Sequence, residues 1–334
     1  MQSYILVTGA SGFVGSALCE RLLSLGYKVV GIGRKNAYNA ALPLKERGFL
    51  SPQTLSHQNF KYELLELKNL DENSLKNYEF SLAFHLASMV EYASLEYLEY
   101  LEYLEYTITP TLNLINFALK RQIPKIIFSS TASVFAQPNT LSSHTSDIYT
   151  LSETSPISPL SNYALAKYTC EKLLELATLR HNNIQTITLR FPAIFGLNHL
   201  GGIVYDFARN ALQNSNIELF GQGKILRNIL YIQDAIESLI LASQAQNLKP
   251  YELFVIGSKA SQTTYTIAQT LINALHSHSN IILSDKNSPN PFNSAVDTTK
   301  AQNLLQFNPP NITEGLQKYA NDILSSMRHT KEVL

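Results

Sequence analysis

Short apolar runs separated by amphipathic stretches set the rhythm of the first 190 or so residues. "SYILVTG" (3–9), "KVVGIG" (28–33), "LAFHLA" (82–87), "PKIIFSS" (124–130) and "IQTITLRF" (184–191) each read as a buried strand. The stretches between them carry helical spacing, the first from about Gly12 to Leu25. Strands alternating with helices predict βαβ units, and therefore an α/β fold with a parallel sheet between two helical layers. Beyond residue 190 the alternation becomes irregular, with Gly, Pro and Asn clusters such as "GLNHLGG", "FGQG" and "NSPNPFN". Residues 137–161, rich in Ser, Thr and Pro, read as a long loop, and long loops are often functional.

One stretch fits neither period. "EYLEYLEYLEY" (96–106) rotates Glu, Tyr and Leu every three residues. In an α-helix a three-residue period winds each residue type backward around the axis. The i, i+4 rows therefore mix types: Tyr97, Leu101 and Glu105 on one, Leu98, Glu102 and Tyr106 on another. No clean apolar stripe forms, and Leu and Tyr together cover most of the circumference. A helix so broadly apolar calls for a neighbour on its outer side as well.

Composition narrows the class. The chain has 334 residues, a formal net charge of zero and 45% hydrophobic residues. The length is enough for a sizeable core, and the charge balance argues against nucleic acid or an anionic membrane as partner. Two cysteines, Cys19 and Cys170, make neither a disulfide framework nor a metal cluster, which fits a reducing cytoplasm. No apolar run reaches the length of a membrane span, and the chain enters a strand without a signal-peptide pattern.

"VTGASGFVGSALCERLL" places Gly9, Gly12 and Gly15 between the first strand and its helix. One glycine makes the tight turn, one lets a pyrophosphate approach the backbone, and one lets helix and strand pack closely. The helix N-terminus then offers unpaired N–H groups to the phosphates. This predicts a Rossmann-like, doubly wound sheet that binds a dinucleotide. The expected division is a dinucleotide-binding domain over 1–185, with 225–257 returning to it through "ILYIQDAIESLILA" and "YELFVIGS". Residues 186–224 and 258–330 form a smaller α/β substrate domain. At the end of the second strand the chain has Gly33, Arg34 and Lys35 in place of the acid that usually meets the adenosine ribose. Cations without a carboxylate favour a 2′-phosphate, and so NADP, with NAD as the alternative. Arg34 could equally stack on adenine or face water.

Tyr163 and Lys167 are four apart on a predicted helix, hence on one face. An ammonium beside a phenol favours the phenolate and lowers its pKa from the ordinary value of about 10, which makes a usable proton donor or acceptor. Tyr168 and Lys172 share the same spacing on another face, and spacing alone does not choose between the pairs. His85 reads as a core histidine, and no cluster has metal-ligand spacing.

"FSSTASVFA", "PLSNYALAKYTCEKLL" and "TGASGFVG" together resemble the extended short-chain dehydrogenase/reductase family, in its NAD(P)-dependent epimerase/dehydratase branch acting on nucleotide sugars. "HLAS" (85–88), "TLNLINFA" (111–118), "LRFPAIFG" (189–196), "FGQGKILRNILYIQDA" (220–235) and "DTTKAQNLLQFNP" (297–309) extend the resemblance over almost the whole chain. It implies a catalytic triad of Thr131, Tyr163 and Lys167, and it demotes Tyr168 to structure. Tyr163 would exchange the proton, Lys167 would lower its pKa and bond the nicotinamide ribose, and Thr131 would orient the substrate oxygen. The implied cofactor set is Gly9, Ser11, Gly12, Phe13, Val14 and Gly15, then Arg34, Glu66, Leu67, Leu86, Ala87, Ser88 and Ser129. Tyr163, Lys167, Phe191, Ala193 and Ile194 complete it, with Glu66 placed to meet the adenine amino group. The implied substrate contacts are Thr131, Ser133 and Arg227, the last as an anion anchor.

Departures from the family pattern are equally informative. Thr131, Ala132 and Ser133 stand where dehydratases carry Thr-Asp-Glu, which argues against elimination. Ala193 replaces a frequent Asn, and "NSPNPFNSAVD" lacks an Arg often found there, so nucleotide recognition is altered. Thr107 and Pro110 replace Asn and Gly at the end of the repeat, where the family's Asn commonly helps relay protons. The first expectation is NADP(H)-linked reduction of a nucleotide-activated keto-deoxy sugar. The alternatives are a nucleotide-sugar 4-epimerase with tightly held NAD, a reductase of a non-nucleotide carbonyl, and a dinucleotide sensor without catalysis. The resemblance also implies a homodimer, with the repeat helix at its contact.

Overall fold

The computed structural model describes residues 3–34, 48–89, 99–137, 148–286, 288 and 292–329. The chain forms two compact units. The first comprises Met1–Val134, Ile157–Arg190 and Ile236–Phe254, and the second Phe135–Pro156, Phe191–Ala235 and Val255–Leu334. Of the stretch 225–257, residues 236–254 fall in the first unit and the remainder in the second.

The first unit is built on a seven-stranded sheet of Rossmann type. Strands β1 (Tyr4–Thr8), β2 (Val29–Gly33), β3 (Phe60–Leu64), β4 (Phe80–His85) and β5 (Lys125–Thr131) form most of it. The spatial order runs from the Tyr251–Val255 strand through Gln185–Phe191, β5, β4, β1 and β2 to β3. β1 pairs in parallel with both β2 and β4, so the strand order reverses at β1. Ligands of such sheets bind beyond the C-terminal ends of the strands at that switch point. Leu6, Val7, Val29, Val30, Ala83, Phe84, Ile126 and Ile127 are fully buried, which explains why these strands are near-continuous apolar runs. β3 was not among the expected strands. Its residues FKYEL are largely half-exposed, because an edge strand has no need of an apolar run.

Two further expectations are corrected in the second unit. Ile229–Tyr231, the start of "ILYIQDAIESLILA", pairs in parallel with Ala193–Phe195 and not with the large sheet. A three-residue apolar run says that it is buried but not which neighbour it joins. Within the expected loop, 138–147 lie outside the described residues, but Ile148–Leu151 form a strand parallel to Asn293–Val296. Among the described residues no helix is long and apolar enough to cross a membrane.

The repeat is helical from Glu99 onward and runs without a break into Thr109–Lys120, but its last turn, Leu104–Ile108, is a π-helix. Tyr97, Leu98 and the rest of the repeat before Glu99 lie outside the described residues. Pro110 accounts for the widened turn: a mid-helix proline lacks the N–H and crowds the carbonyl four residues earlier, that of Tyr106. The consequence is a sorted surface. Tyr103, Thr107 and Ile108 are buried, while Leu101 and Leu104 are exposed.

Candidate active site

The glycine turn has the backbone that a dinucleotide requires. Gly9 adopts φ +70°, and a Cβ there would lie 2.8 Å from the Ala87 nitrogen. At Gly15 a Cβ would lie 2.1 Å from the Gly9 carbonyl oxygen, so the helix Phe13–Ser24 packs directly on the turn. Gly12 is different: a Cβ would meet only the Gly9 oxygen, at 3.2 Å, and otherwise open space. Gly12 is also the N-cap of that helix and gives it no side-chain cap. The N–H groups of Phe13 and Val14 at this uncapped end, beside a glycine with an open face, suit a pyrophosphate. Ser11 is buried, its side chain bonded to Tyr62.

Opposite the turn, Thr8 Oγ1 accepts the backbone N–H groups of Leu86 (3.2 Å) and Ala87 (3.3 Å), holding the segment after β4 against β1. Thr8 also bonds His85 Nδ1 at 2.8 Å, and His85 Nε2 bonds Thr111 Oγ1 at 2.9 Å. Thr111 donates to the Thr107 carbonyl at 2.8 Å, so the donor count fits a neutral imidazole carrying its proton on Nε2. Burial pushes the His85 pKa down to about 3, with the Lys167 charge adding to the effect. His85 is therefore a bonded core histidine. Its unfolded form titrates near 6.5, so below that pH the unfolded chain binds a proton that the folded chain does not. Stability should fall by about 1.4 kcal/mol per pH unit from about 6.5 toward about 3. Between pH 6.5 and pH 5 this is about 2 kcal/mol in denaturant unfolding, and it should vanish in His85→Gln.

The side chains expected to be catalytic sit on one helix and one strand end. Ser161 starts the Asn162–Arg180 helix, its hydroxyl accepting the Ala164 N–H at 3.2 Å, so Tyr163 lies in the first turn. That helix packs on β5, on the Ala132–Val134 turn and on the repeat helix. Lys167 is buried, and its ammonium donates to the Ser129 carbonyl at 2.8 Å. It lies 4.8 Å from the Phe128 ring centroid and 6.0 Å from that of Tyr163. Desolvation lowers its pKa to about 8, against the opposing pull of Cys170 and Glu171. A partly desolvated cation beside a phenol ring is the arrangement that proton exchange needs. Thr131 ends β5, its hydroxyl donating to Ser133 Oγ at 3.1 Å and accepting the Ser133 N–H at 3.1 Å. Tyr168 and Lys172 pair instead on the outside of the helix, where Lys172 also bonds Glu175.

At the end of β2, a Cβ on Gly33 would lie 2.6 Å from the Tyr62 hydroxyl and 2.8 Å from Ser11 Oγ. A side chain at position 33 would have to displace those two groups. Arg34 stacks over the Tyr106 ring at 4.9 Å, and Lys68 lies over the same ring at 5.2 Å. Glu66, expected to meet adenine, is ion-paired with Lys68 at 3.2 Å, and Lys68 also binds Glu105 at 2.6 Å. Asn113 on the repeat helix donates to the carbonyls of Leu67 (3.1 Å) and Lys68 (2.7 Å) and so fixes this loop. Lys35 lies outside the described residues. Thr107 accepts the Met89 N–H at 3.1 Å and pairs with Ser88 Oγ at 3.4 Å, so its hydroxyl holds the segment after β4.

The remaining expected residues belong to the second unit. Phe191 is buried, Ala193 and Ile194 lie on the short strand Ala193–Phe195, and Ala193 is exposed. Arg227 donates through Nη1 to the carbonyls of Leu226 (3.1 Å) and Phe292 (2.8 Å), and burial lowers its pKa.

Residues 5–257 match the model of the NAD dependent epimerase/dehydratase family. The chain belongs to that family. A UDP-N-acetyl-alpha-D-glucosaminuronate decarboxylase of Bacillus cytotoxicus is 28% identical, covering 92% of this chain and 94% of its own. The Bacillus subtilis protein YtcB, described as an uncharacterized UDP-glucose epimerase, is 26% identical over 91% and 92%. Among solved structures, UDP-glucuronic acid 4-epimerase from Bacillus cereus in complex with NAD superposes with a TM-score of 0.77. It is 25% identical, with 96% of this chain and 99% of that one covered. The chain is thus similar to UDP-sugar epimerases and decarboxylases and shares their Rossmann-like fold.

In this family member the first unit brings together the glycine turn, the segment after β4, and the Lys167 helix with the end of β5. Sequence reasoning missed Tyr103, whose buried ring packs 6.4 Å from that of Tyr163. It also missed Tyr62 and Lys68, which shape the position 33 end. The repeat hid Tyr103: its tyrosines are alike in sequence, and only the packing of the helix shows that this one is buried.

Proposed function

We propose that this family member catalyses NADP(H)-linked reduction of a nucleotide-activated keto-deoxy sugar. Positions 33 and 34 carry the proposal: a glycine under Tyr62 and Ser11 stands in place of a ribose-binding acid, and the Arg34 cation beside it is propped on Tyr106. A dinucleotide held at the glycine turn would supply hydride for the carbonyl carbon. Tyr163 gives its phenolic proton to the carbonyl oxygen, Thr131 orients that oxygen, and Lys167 favours the phenolate left behind. The absence of Asp and Glu after Thr131 supports reduction over elimination. With a 4-keto sugar nucleotide, the purified protein should consume NADPH steadily. Arg34→Ser should lower kcat/KM for NADPH about 10- to 100-fold, the worth of a hydrogen bond to a charged group, and leave that for NADH unchanged. A tightly bound NAD that survives desalting, with no net NADPH consumption, would support the second reading, a nucleotide-sugar 4-epimerase. The names of the UDP-sugar relatives favour that reading.

The same proposal includes a homodimer through the repeat helix. Leu101 and Leu104 are 61% and 42% exposed while Tyr103 is buried, which supports a partner over those leucines. Replacing both with Lys should shift gel-filtration elution to that of a monomer, and an unchanged elution volume would sink the dimer.

A further inference from the structure

One buried cluster of the first unit has no part in the mechanism above. Arg190, near the end of the Gln185–Phe191 strand, makes a two-pronged ion pair with Glu171. Its Nε donates to Oε1 at 2.9 Å and its Nη2 to Oε2 at 2.6 Å. The residues are 4% and 1% exposed, so both charges have lost their water. The Ser130 hydroxyl adds a third bond to Glu171 Oε1, at 2.5 Å. A buried pair of this kind is a poor investment in stability, since desolvation consumes most of the Coulombic gain and apolar residues of like volume do as well. Geometry is what it adds.

That geometry bears on the catalytic side chains. Lys167 and Glu171 are one turn apart on the same face of their helix. They grip consecutive residues of β5, Lys167 through the Ser129 carbonyl and Glu171 through the Ser130 hydroxyl. The next residue is Thr131. A slip of the helix along β5 by one residue, about 1.5 Å, would break both contacts and move Tyr163 relative to Thr131. We propose that Glu171, held by Arg190 and Ser130, is a positioning residue that sets the register of the Tyr163–Lys167 helix against the Thr131 end of β5. The inference rests on the reading of Tyr163 and Lys167 as the proton-exchange pair.

The same carboxylate acts on Lys167 through space. Among the described residues, the titratable and charged groups near Lys167 include Tyr163, Cys170 and Glu171 on its own helix, His85 on β4, and Arg190 and Tyr251, which interact with Glu171. His85 is neutral, while Glu171 opposes the desolvation that lowers Lys167. Removing Glu171 should therefore leave Lys167 less often protonated near neutral pH.

The test replaces the whole pair, because one partner alone leaves an uncompensated buried charge and the variant may not fold. Glu171→Leu combined with Arg190→Met should fold and bind NADPH within about threefold of wild type, since the buried pair adds little net stability. Its kcat should fall about tenfold or more at unchanged KM. The Lys167 titration, followed by NMR in lysine-labelled protein and assigned with Lys167→Met, should move down, because the Glu171 carboxylate that raises it is gone. Ser130→Ala, which keeps the ion pair, should lower kcat by a smaller factor and leave the Lys167 titration in place. A folded double variant with wild-type kcat and an unmoved Lys167 titration would overturn the proposal and leave the pair as mere packing. If the wild type turns over no sugar nucleotide, the functional reading fails instead, and the NMR titration still decides whether Glu171 acts on Lys167.

Discussion

Tyr163→Phe should lower turnover with a 4-keto sugar nucleotide by about 100- to 10,000-fold, the usual worth of a positioned general acid or base. KM and dinucleotide affinity should change little, because the substitution removes one hydroxyl and keeps the ring packed against Tyr103. Tyr168→Phe is the internal control. It has the same spacing to a lysine but lies on the outside of the helix, and it should cost nothing measurable. The pH profile should carry the mark of Lys167. With its pKa lowered to about 8 by burial, the ammonium is lost as pH rises through that value. Reduction should slow above about pH 8, where the cation becomes scarce. A steady-state pH series with wild type and Tyr163→Phe decides the matter, and an active Tyr163→Phe would remove the tyrosine from catalysis.

The second large effect is expected at the glycine turn, and it separates two roles of the same residue type. Gly15→Ala should destabilise the fold by about 3 kcal/mol or more, because its Cβ would meet backbone atoms that cannot move aside. The Gly9 carbonyl oxygen would lie at 2.1 Å, its carbon at 2.8 Å and the Ala10 Cα at 2.9 Å. Gly12→Ala should leave stability near wild type, since its Cβ faces open space apart from one 3.2 Å contact. Dinucleotide binding should nonetheless weaken by about 10-fold or more, as a methyl occupies the approach to the backbone. Denaturant unfolding and titration with NADPH, run on both variants, read the two quantities separately. Equal effects on stability would refute the division of labour.

The strands of the parallel sheet were legible because their residues are buried on both sides, which demands apolar runs. β3 was not, because an edge strand can afford FKYEL. His85 was legible as a core residue from its place in a buried strand, yet its bonds to Thr8 and Thr111 were not, since those partners lie 77 and 26 residues away. Arg34 was legible as a cation just past the end of β2, while its neighbours were hidden. Tyr62, Lys68 and Tyr106 reach position 33 from a separate strand, a separate loop and the repeat helix. Glu66 was expected beside adenine, but its ion pair with Lys68 could not be read from spacing alone.

The sequence by itself determined the strand–turn–helix dinucleotide motif, the family and the Tyr163–Lys167 helix, because each depends on local spacing and backbone chemistry. Only the tertiary structure decided which groups surround those motifs. It turned Tyr103 of the repeat toward Tyr163 and left Leu101 and Leu104 outside. A three-residue rotation carries no face of its own, so packing against the Asn162–Arg180 helix chooses one. It also placed Arg190 and Ser130 on Glu171, joining two strands and a helix through contacts whose sequence separations no periodicity encodes.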